Sequence, residues 1–527
     1  MGASDRRHGT VRPLTMEQRV HYETQRLSIQ ADLDACKTSL ERNRLGQFAT
    51  PTTLAREVLA YGLSLMPKGQ EVHFLDPAIG TGSFYSALLE TIGERQLATA
   101  KGYEIDPHYG EPARRLWDGY NLQIELADFT QAKPPCNGFN LLICNPPYVR
   151  HHHIDGNEKQ RMQAESKISA GVKLSGLAGL YCHFLTLSHR WMSADGVAGW
   201  LIPSEFMDVN YGRELKRYLL EEVTLLRVHR FDPCEAQFED ALVSSAVVWF
   251  KKTKPPIGHI VEFTYGGTHT APAISRSIAT VELASEAKWT RFPSREVRVA
   301  VDSPILSDFF DIKRGIATGN NEFFILSREK IQELRLPMEC FRPILPSPRY
   351  VGVDEIAADA QGNPVLSHSL FLLNCRLSER EVKERYPTLW RYLESGKREV
   401  ASRYLCKSRP TWYWQEERQT TPFVCTYMGR GSAKTGHPFR FLLNHSRAIA
   451  ANTYLMLYPK SHIARLISED NNLLKLVWGG LNAITSESFK SEGRVYGGGL
   501  HKIEPKEMAK LPAGHIKALL DFPIVHS

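Results

Sequence analysis

At 527 residues, with 42% hydrophobic and 23% charged residues, the chain is ordinary globular material too long for a single core, so two or three domains are expected. No apolar run approaches the roughly 20 residues that span a bilayer, and the polar, basic N-terminus lacks the apolar stretch of a signal peptide. A net charge of +7 permits a nucleic-acid partner without establishing one, and nine cysteines without a Cys-x-x-Cys pair point to reduced thiols in the cytoplasm rather than structural zinc.

In chain order, residues 1–14 read as a basic tail, followed to Arg44 by a polar, helix-permissive stretch with sparse apolar points at Val20, Leu27, Ile29, Leu33 and Leu40. Gly46-Gln47-Phe48-Ala49-Thr50-Pro51 is a turn into a helix, with Thr52 and Thr53 as candidate caps. A strand at Val72–Leu75 runs into Asp76-Pro77-Ala78-Ile79-Gly80-Thr81-Gly82, then a helix: the opening of a doubly wound α/β unit. Further strands end at Glu104, at Asp128 and, after Leu141-Leu142-Ile143-Cys144, at Asn145-Pro146-Pro147-Tyr148.

One strand-end acid is commonly a turn or cap. Asp76, Glu104, Asp128 and Asn145 in succession instead line one crevice suited to a polar nucleoside ligand. At the fourth end two prolines cannot donate to the ladder, so the Asn145 carboxamide and nearby carbonyls are aimed off the sheet edge. That edge suits a bound amino group, with Tyr148 covering the flat face of whatever carries it. A helix at Leu180–Trp191, a strand at Gly196–Pro203, a helix from Arg213 and β-rich segments at Leu225–Phe231 and Leu242–Phe250 complete the domain, with Phe238 on an intervening loop.

Beyond about residue 285 the βα rhythm gives way to short strands and turns. From Arg403 to Arg447 runs a basic stretch that includes Arg403, Lys407, Arg409, Arg430, Lys434 and Arg447, interleaved with Tyr404, Trp412, Tyr413, Trp414 and Tyr427. A charge run is usually a solvated face; aromatics inside it favour phosphate neutralisation with rings or amides meeting bases.

With these motifs in order, the chain resembles gamma-class, TaqI-like adenine-N6 DNA methyltransferases of restriction-modification type. The matching stretches are Gln47–Pro51, Asp76–Gly82, Asn145–Tyr148, then Gly315–Phe324, Asn452–Tyr454 and Gly497–Pro505. The resemblance implies a class I, Rossmann-like S-adenosylmethionine-dependent domain over 46–285, after a tail and helix over 1–45, and a mixed α+β DNA target-recognition domain over 286–527. It implies cofactor binding by Thr50, Pro51, Asp76, Ala78, Gly80, Glu104, Ile105, Asp128 and Phe129. It also implies catalysis through Asn145, Pro146, Pro147 and Tyr148 on a flipped adenine, stacked between Tyr148 and Phe238. DNA contacts are expected from Arg403, Lys407, Arg409, Trp412, Arg430, Lys434 and Arg447.

The expected partner is double-stranded DNA, met by a monomer in the cytoplasm without a membrane, with any cognate restriction endonuclease encoded separately. No metal is expected, because His151-His152-His153 are consecutive and cannot easily converge on one ion. Cys144 reads as a small strand residue, lacking the Pro-Cys context of base-carbon methylation. RNA or protein glutamine methylation through the same Asn-Pro-Pro-Tyr edge is the competing enzyme reading, against which the large C-terminal half counts. A catalytically inactive DNA-binding module is the non-enzymatic one, against which the intact strand ends count. Asn rather than Ser at the first motif position favours adenine over cytosine-N4.

Overall fold

The computed structural model describes residues 15–233, 244–292, 303–431 and 437–521, in two compact units, Met1–Arg295 and Glu296–Ser527.

The first unit opens with α1 (Met16–Ala35) and α2 (Ser39–Leu45), separated where Thr38 caps α2 in a reciprocal capping box with Glu41. Helix α3 (Thr52–Ser64) leads into β1 (Val72–Asp76), α4 (Ser83–Thr91), β2 (Leu97–Glu104), α5 (Pro107–Leu116), β3 (Leu122–Leu126) and β4 (Phe139–Cys144). After them come α6 (Gly156–Ala170), α7 (Leu180–Leu187), β5 (Met192–Pro203), α8 (Arg213–Glu221), β6 (Thr224–Arg230), β7 (Ser245–Lys251), β8 (Ile260–Gly267) and β9 (Pro272–Ala279). One expectation fails here. Neither Thr52 nor Thr53 caps α3; Pro51 takes the N-cap position with no side-chain cap, and the Thr52 hydroxyl turns to the Glu23 carboxylate, a stronger acceptor.

The nine strands form one sheet in the order β3-β2-β1-β4-β5-β7-β6-β8-β9. The run from β3 to β5 is parallel, and β7 is reversed between β5 and β6. Alternation along each strand splits the core between the two faces. Phe74, Leu141 and Ile143 pack with Val58, Leu59 and Leu63 of α3, whereas Leu75, Leu142 and Cys144 pack with Phe184 and Leu185 of α7 and Leu219 of α8. The doubly wound α/β architecture implied by the sequence is thus the one observed. Strand order reverses between β1 and β4, which makes that gap the switch point where such sheets bind ligands.

The second unit is mixed α+β, again as implied. A five-stranded sheet orders Phe310–Arg314, Tyr454–Pro459, Phe423–Thr426, Phe441–Asn444 and Glu355–Ile356. A four-stranded sheet orders Ile325–Ser327, Leu370–Leu373, Phe341–Leu345 and Ile449–Ala450. Among the described residues no helix is long and apolar enough to cross a membrane.

Candidate active site at the β1/β4 switch point

Parallel pairing in the order β3-β2-β1-β4 brings the four strand ends to one edge of the sheet, neighbours about 4.8 Å apart. Asp76 ends β1 almost wholly buried. Its carboxylate accepts from the Ala78 N–H at 3.1 Å and from the Cys144 thiol on the adjoining strand. Burial pushes its carboxyl up to about 7, the Ala78 N–H opposing and the Glu104 charge adding to the rise. The Cys144 thiol, wholly buried beside Asp76, is pushed far above the ordinary thiol range and is no nucleophile.

The turn after β1 takes left-handed backbone at Gly80 (φ +54) and Gly82 (φ +93). A Cβ on Gly82 would sit 2.5 Å from the Trp117 indole nitrogen, which itself donates to the Thr81 carbonyl at 2.9 Å. A Cβ on Gly80 would meet nothing within 4 Å, so this glycine faces open space. Glu104 closes the turn from β2, accepting from the Gly80 N–H at 3.0 Å and the Asp106 N–H at 2.9 Å. Burial raises its carboxyl above the ordinary range in spite of those two donors. Ile105 follows with 66% of its surface exposed, an apolar residue left uncovered at a strand end. Asp128 caps a short 3-10 turn through the Thr130 N–H and hydroxyl, both at 2.8 Å, and accepts from Gln131 at 3.0 Å. Phe129, expected to wall an adenine slot, is buried in the core against Phe184, Trp191 and Tyr103.

Asn145 is oriented by its nitrogen. Nδ2 donates to the Phe48 carbonyl at 3.0 Å and to the Thr50 hydroxyl at 3.1 Å. A carbonyl only accepts, so the amide cannot be turned over. Oδ1 is left buried with no hydrogen-bond partner among the described residues. The Tyr148 hydroxyl donates to the Leu201 carbonyl at 3.1 Å; the residue is 9% exposed, and its ring lies 5.6 Å from the Phe48 ring. Phe238, the second stacking residue expected, lies outside the described residues. His151–His153 form one turn of 3-10 helix, and among the described residues no three metal-ligating side chains gather.

Several participants escape sequence reasoning. Gly46 (φ +66) ends α2 against Tyr148: its carbonyl accepts from the Tyr148 N–H at 3.2 Å, and a Cβ there would sit 2.3 Å from that nitrogen. Lys37 pairs with Asp106 and bonds Gln47 at 3.1 Å, while Gln47 donates to Asp106 at 3.0 Å. Burial works against the Asp106 carboxylate, but Lys37, Gln47 and the His108 N–H outweigh it and hold its carboxyl below the ordinary range. These residues tie the segment between α1 and α2, and the turn after α2, to the start of α5. The sequence showed Gly46 and Gln47 only as part of a turn into a helix and did not connect them to Lys37, Asp106 or the Tyr148 backbone.

Two families match the chain. Residues 111–237 match the Eco57I restriction-modification methylase family, and residues 293–522 match the family described as type II methyltransferase M.Eco57I, C-terminal domain. Type II methyltransferase M.XamI of Xanthomonas campestris pv. amaranthicola is 29% identical over 481 residues, covering 89% of this chain and 85% of that one. Type II methyltransferase M.AccI of Acinetobacter calcoaceticus is 25% identical over 503 residues, covering 92% and 88%. The chain is similar to type II restriction-modification methyltransferases. Among solved structures, that of the type IIL restriction-modification enzyme MmeI in complex with DNA aligns at a TM-score of 0.48 and 13% identity, over 86% of this chain and 65% of that one.

Within the stretch that matches the methyltransferase C-terminal domain, the basic run divides into internal braces and exposed charges. Arg409 is half-buried and donates to the carbonyls of Ala317 and Thr318, both at 2.9 Å, and Arg403 to that of Gly319 at 3.3 Å. Trp412 packs on Phe323 and Phe324; Tyr413 is fully buried, its hydroxyl donating to the Leu377 carbonyl at 2.7 Å. Of the aromatics interleaved in this run, Tyr404 alone is exposed, at 84%. Lys407, Arg430 and Arg447 are exposed, and Lys434 lies outside the described residues.

Proposed function

We propose that the chain is a site-specific DNA methyltransferase that moves a methyl group from S-adenosylmethionine to the N6 amine of an adenine flipped out of duplex DNA. The observation that carries this reading is the Asn145 amide, anchored through its nitrogen and presenting a buried, unpartnered oxygen at the switch point. An unsatisfied buried acceptor costs stability, so its retention argues for a ligand that donates to it.

The cofactor fits the residues present. Open space over Gly80 and the exposed Ile105 suit a nucleoside lying on the strand ends. Asp76, Glu104 and Asp128 supply acceptors around it, with Thr50, Pro51 and Ala78 completing the proposed set and Phe129 backing it from the core. When bound, S-adenosylmethionine supplies a methyl group activated on a sulfonium, so no covalent enzyme intermediate is needed.

Adenine's amino lone pair is delocalised into its ring. Asn145 Oδ1 and the Pro146 carbonyl would accept the two amine hydrogens and so localise the lone pair on nitrogen. Pro147 keeps this edge stiff. Orientation and preorganised dipoles would supply most of the acceleration. Tyr148, fixed through its hydroxyl, would offer aromatic surface to one face of the base and Phe238 to the other. Residues 46–285 would form the catalytic domain and 286–527 the target-recognition domain, acting as a cytoplasmic monomer on duplex DNA, with any endonuclease in a separate chain.

Incubation with methyl-labelled S-adenosylmethionine and duplex DNA, followed by digestion to nucleosides, tests the reading. Label in N6-methyladenine supports it. Label in a methylated cytosine, or label that in parallel incubations enters RNA or a protein glutamine and not DNA, would replace it with one of the competing activities.

A further inference from the structure

Helix α1 docks on the first unit in an unusual way. Of its 20 residues only Glu23 and Arg26 are buried, so the most deeply set contact of the helix is an ion pair, beside the half-buried Tyr22 ring that packs on Trp117 and Tyr120. Arg26 is 1% exposed and grips Glu23 through two hydrogen bonds, at 2.6 and 2.7 Å. Its remaining donors reach the glycine turn, at Thr81 Oγ1 (3.3 Å) and Ser83 Oγ (2.9 Å), and the first residue of α3, at Thr52 Oγ1 (3.3 Å). Glu23 accepts from the Ser86 hydroxyl at 2.6 Å and from Thr52. One turn further on, Gln30 Oε1 accepts from the Thr81 hydroxyl at 2.6 Å.

Burial works against the Glu23 carboxylate, but Arg26 and the Ser86 and Thr52 hydroxyls outweigh it and hold its carboxyl below the ordinary range. A buried pair pays heavily in desolvation and adds little net stability over apolar side chains of like volume. It does fix geometry. Here every hydroxyl it bonds belongs to the glycine turn, to the helix after that turn, or to the helix that follows Thr50.

We infer that α1 is a brace for the cofactor loop, with Arg26 and Glu23 as positioning residues that couple docking of the helix to binding of S-adenosylmethionine. The inference rests on the proposed function only in taking the Gly80–Ser83 turn as the cofactor's seat. Thr81 and Ser83 would lose these partners whenever the helix lifts away. Coupling of this kind is reciprocal: whatever docked α1 does for cofactor affinity, bound cofactor must do for docked α1.

Hydrogen exchange and calorimetry on the full chain with S-adenosylhomocysteine test it. In the unaltered protein the ligand should slow amide exchange within Met16–Ala35. The paired variant Glu23→Leu with Arg26→Met removes both charges and keeps apolar bulk under the helix. It should retain the melting temperature within a few degrees, lose roughly tenfold or more in affinity for S-adenosylhomocysteine, and no longer transmit protection to α1. A purely structural pair predicts the opposite, with affinity regained once the packing is restored. Binding by the unaltered protein with unchanged α1 exchange sinks the brace and leaves the cofactor assignment standing. No binding at all by the unaltered protein removes the cofactor assignment and the brace with it. Should the paired variant not fold, the exchange experiment on the unaltered protein still decides.

Discussion

The Asn145 amide nitrogen lies 3.0 Å from the Phe48 carbonyl oxygen, and this contact across 97 positions of sequence decides which way the amide faces. The turn after α2 therefore belongs to the site as much as the Asn-Pro-Pro-Tyr motif does. It holds the donor end of Asn145 so that the acceptor end faces a substrate.

Gly46 is the hinge of that arrangement, with left-handed backbone and the Tyr148 nitrogen only 2.3 Å from where a Cβ would stand. Gly46→Ala should lower stability by about 1–3 kcal/mol through backbone strain and should reduce turnover further by lifting Phe48 off Asn145. Denaturant unfolding and methyl-transfer rates check this. Unchanged turnover would detach the turn from the site.

Asp76 should make cofactor binding depend on pH. Its folded carboxyl, at about 7 against an ordinary 3.8, holds a proton through mild acid. A cationic cofactor favours the ionised form, so binding below pH 7 must expel that proton. The apparent Kd for S-adenosylmethionine should weaken by up to about tenfold per pH unit below 7 and level off above it. Because the folded pKa is raised, the stability linked to Asp76 is full below pH 3.8 and is lost as pH rises through 7. Asp76→Asn should therefore stabilise the cofactor-free protein at pH 8 and flatten the binding profile. Calorimetry across pH 5.5–8.5 checks both.

Buried histidines give the opposite slope. Burial pushes His229 down to about 4 and His269 to about 2, with the Arg227 charge adding to both. The unfolded chain takes up protons near pH 6.5 that the folded one refuses, so their contribution is present above 6.5 and falls away below it. The window closes near 4 for His229 and near 2 for His269, at about 1.4 kcal/mol per pH unit for each histidine. Urea midpoints at pH 7.5 and pH 5 should differ accordingly. Replacing both with glutamine should shrink the difference.

The basic run should divide by salt dependence. Lys407→Ala, Arg430→Ala and Arg447→Ala remove exposed charges, and each should lower the slope of log K against log salt by about 0.9 if its side chain meets a phosphate. Arg409→Ala should instead destabilise the second unit, because its guanidinium holds the Ala317 and Thr318 carbonyls. Unfolding curves beside DNA-binding isotherms distinguish the two classes.

The strands and their polar ends were readable because apolar runs and breakers are local: Leu141 to Cys144 is a continuous apolar run buried on both faces, and Pro146 stops the ladder. The path from Asp76 to Asn145 needed only the doubly wound rule. Arg26 was hidden for a physical reason. Glu23 and Arg26 on a polar helix look the same in sequence whether they face water or Thr81 and Ser83, and only tertiary docking separates the cases. The aromatics between Arg403 and Arg447 misled in the same way. Tyr413 and Tyr427 lie in the core, where a ring among arginines looks no different in sequence from one on the surface. The Thr52 hydroxyl, read as a cap, had a charged acceptor from another helix within reach.

The central claim is that Asn145 Oδ1 receives an adenine amine. Asn145→Ala removes that acceptor and leaves Asp76, Glu104 and the second unit untouched. Its N6-methyladenine output on duplex DNA should fall roughly 100-fold or more, while its affinities for S-adenosylhomocysteine and for DNA change little. N6-methyladenine formed by the variant at the unaltered protein's rate would contradict the account.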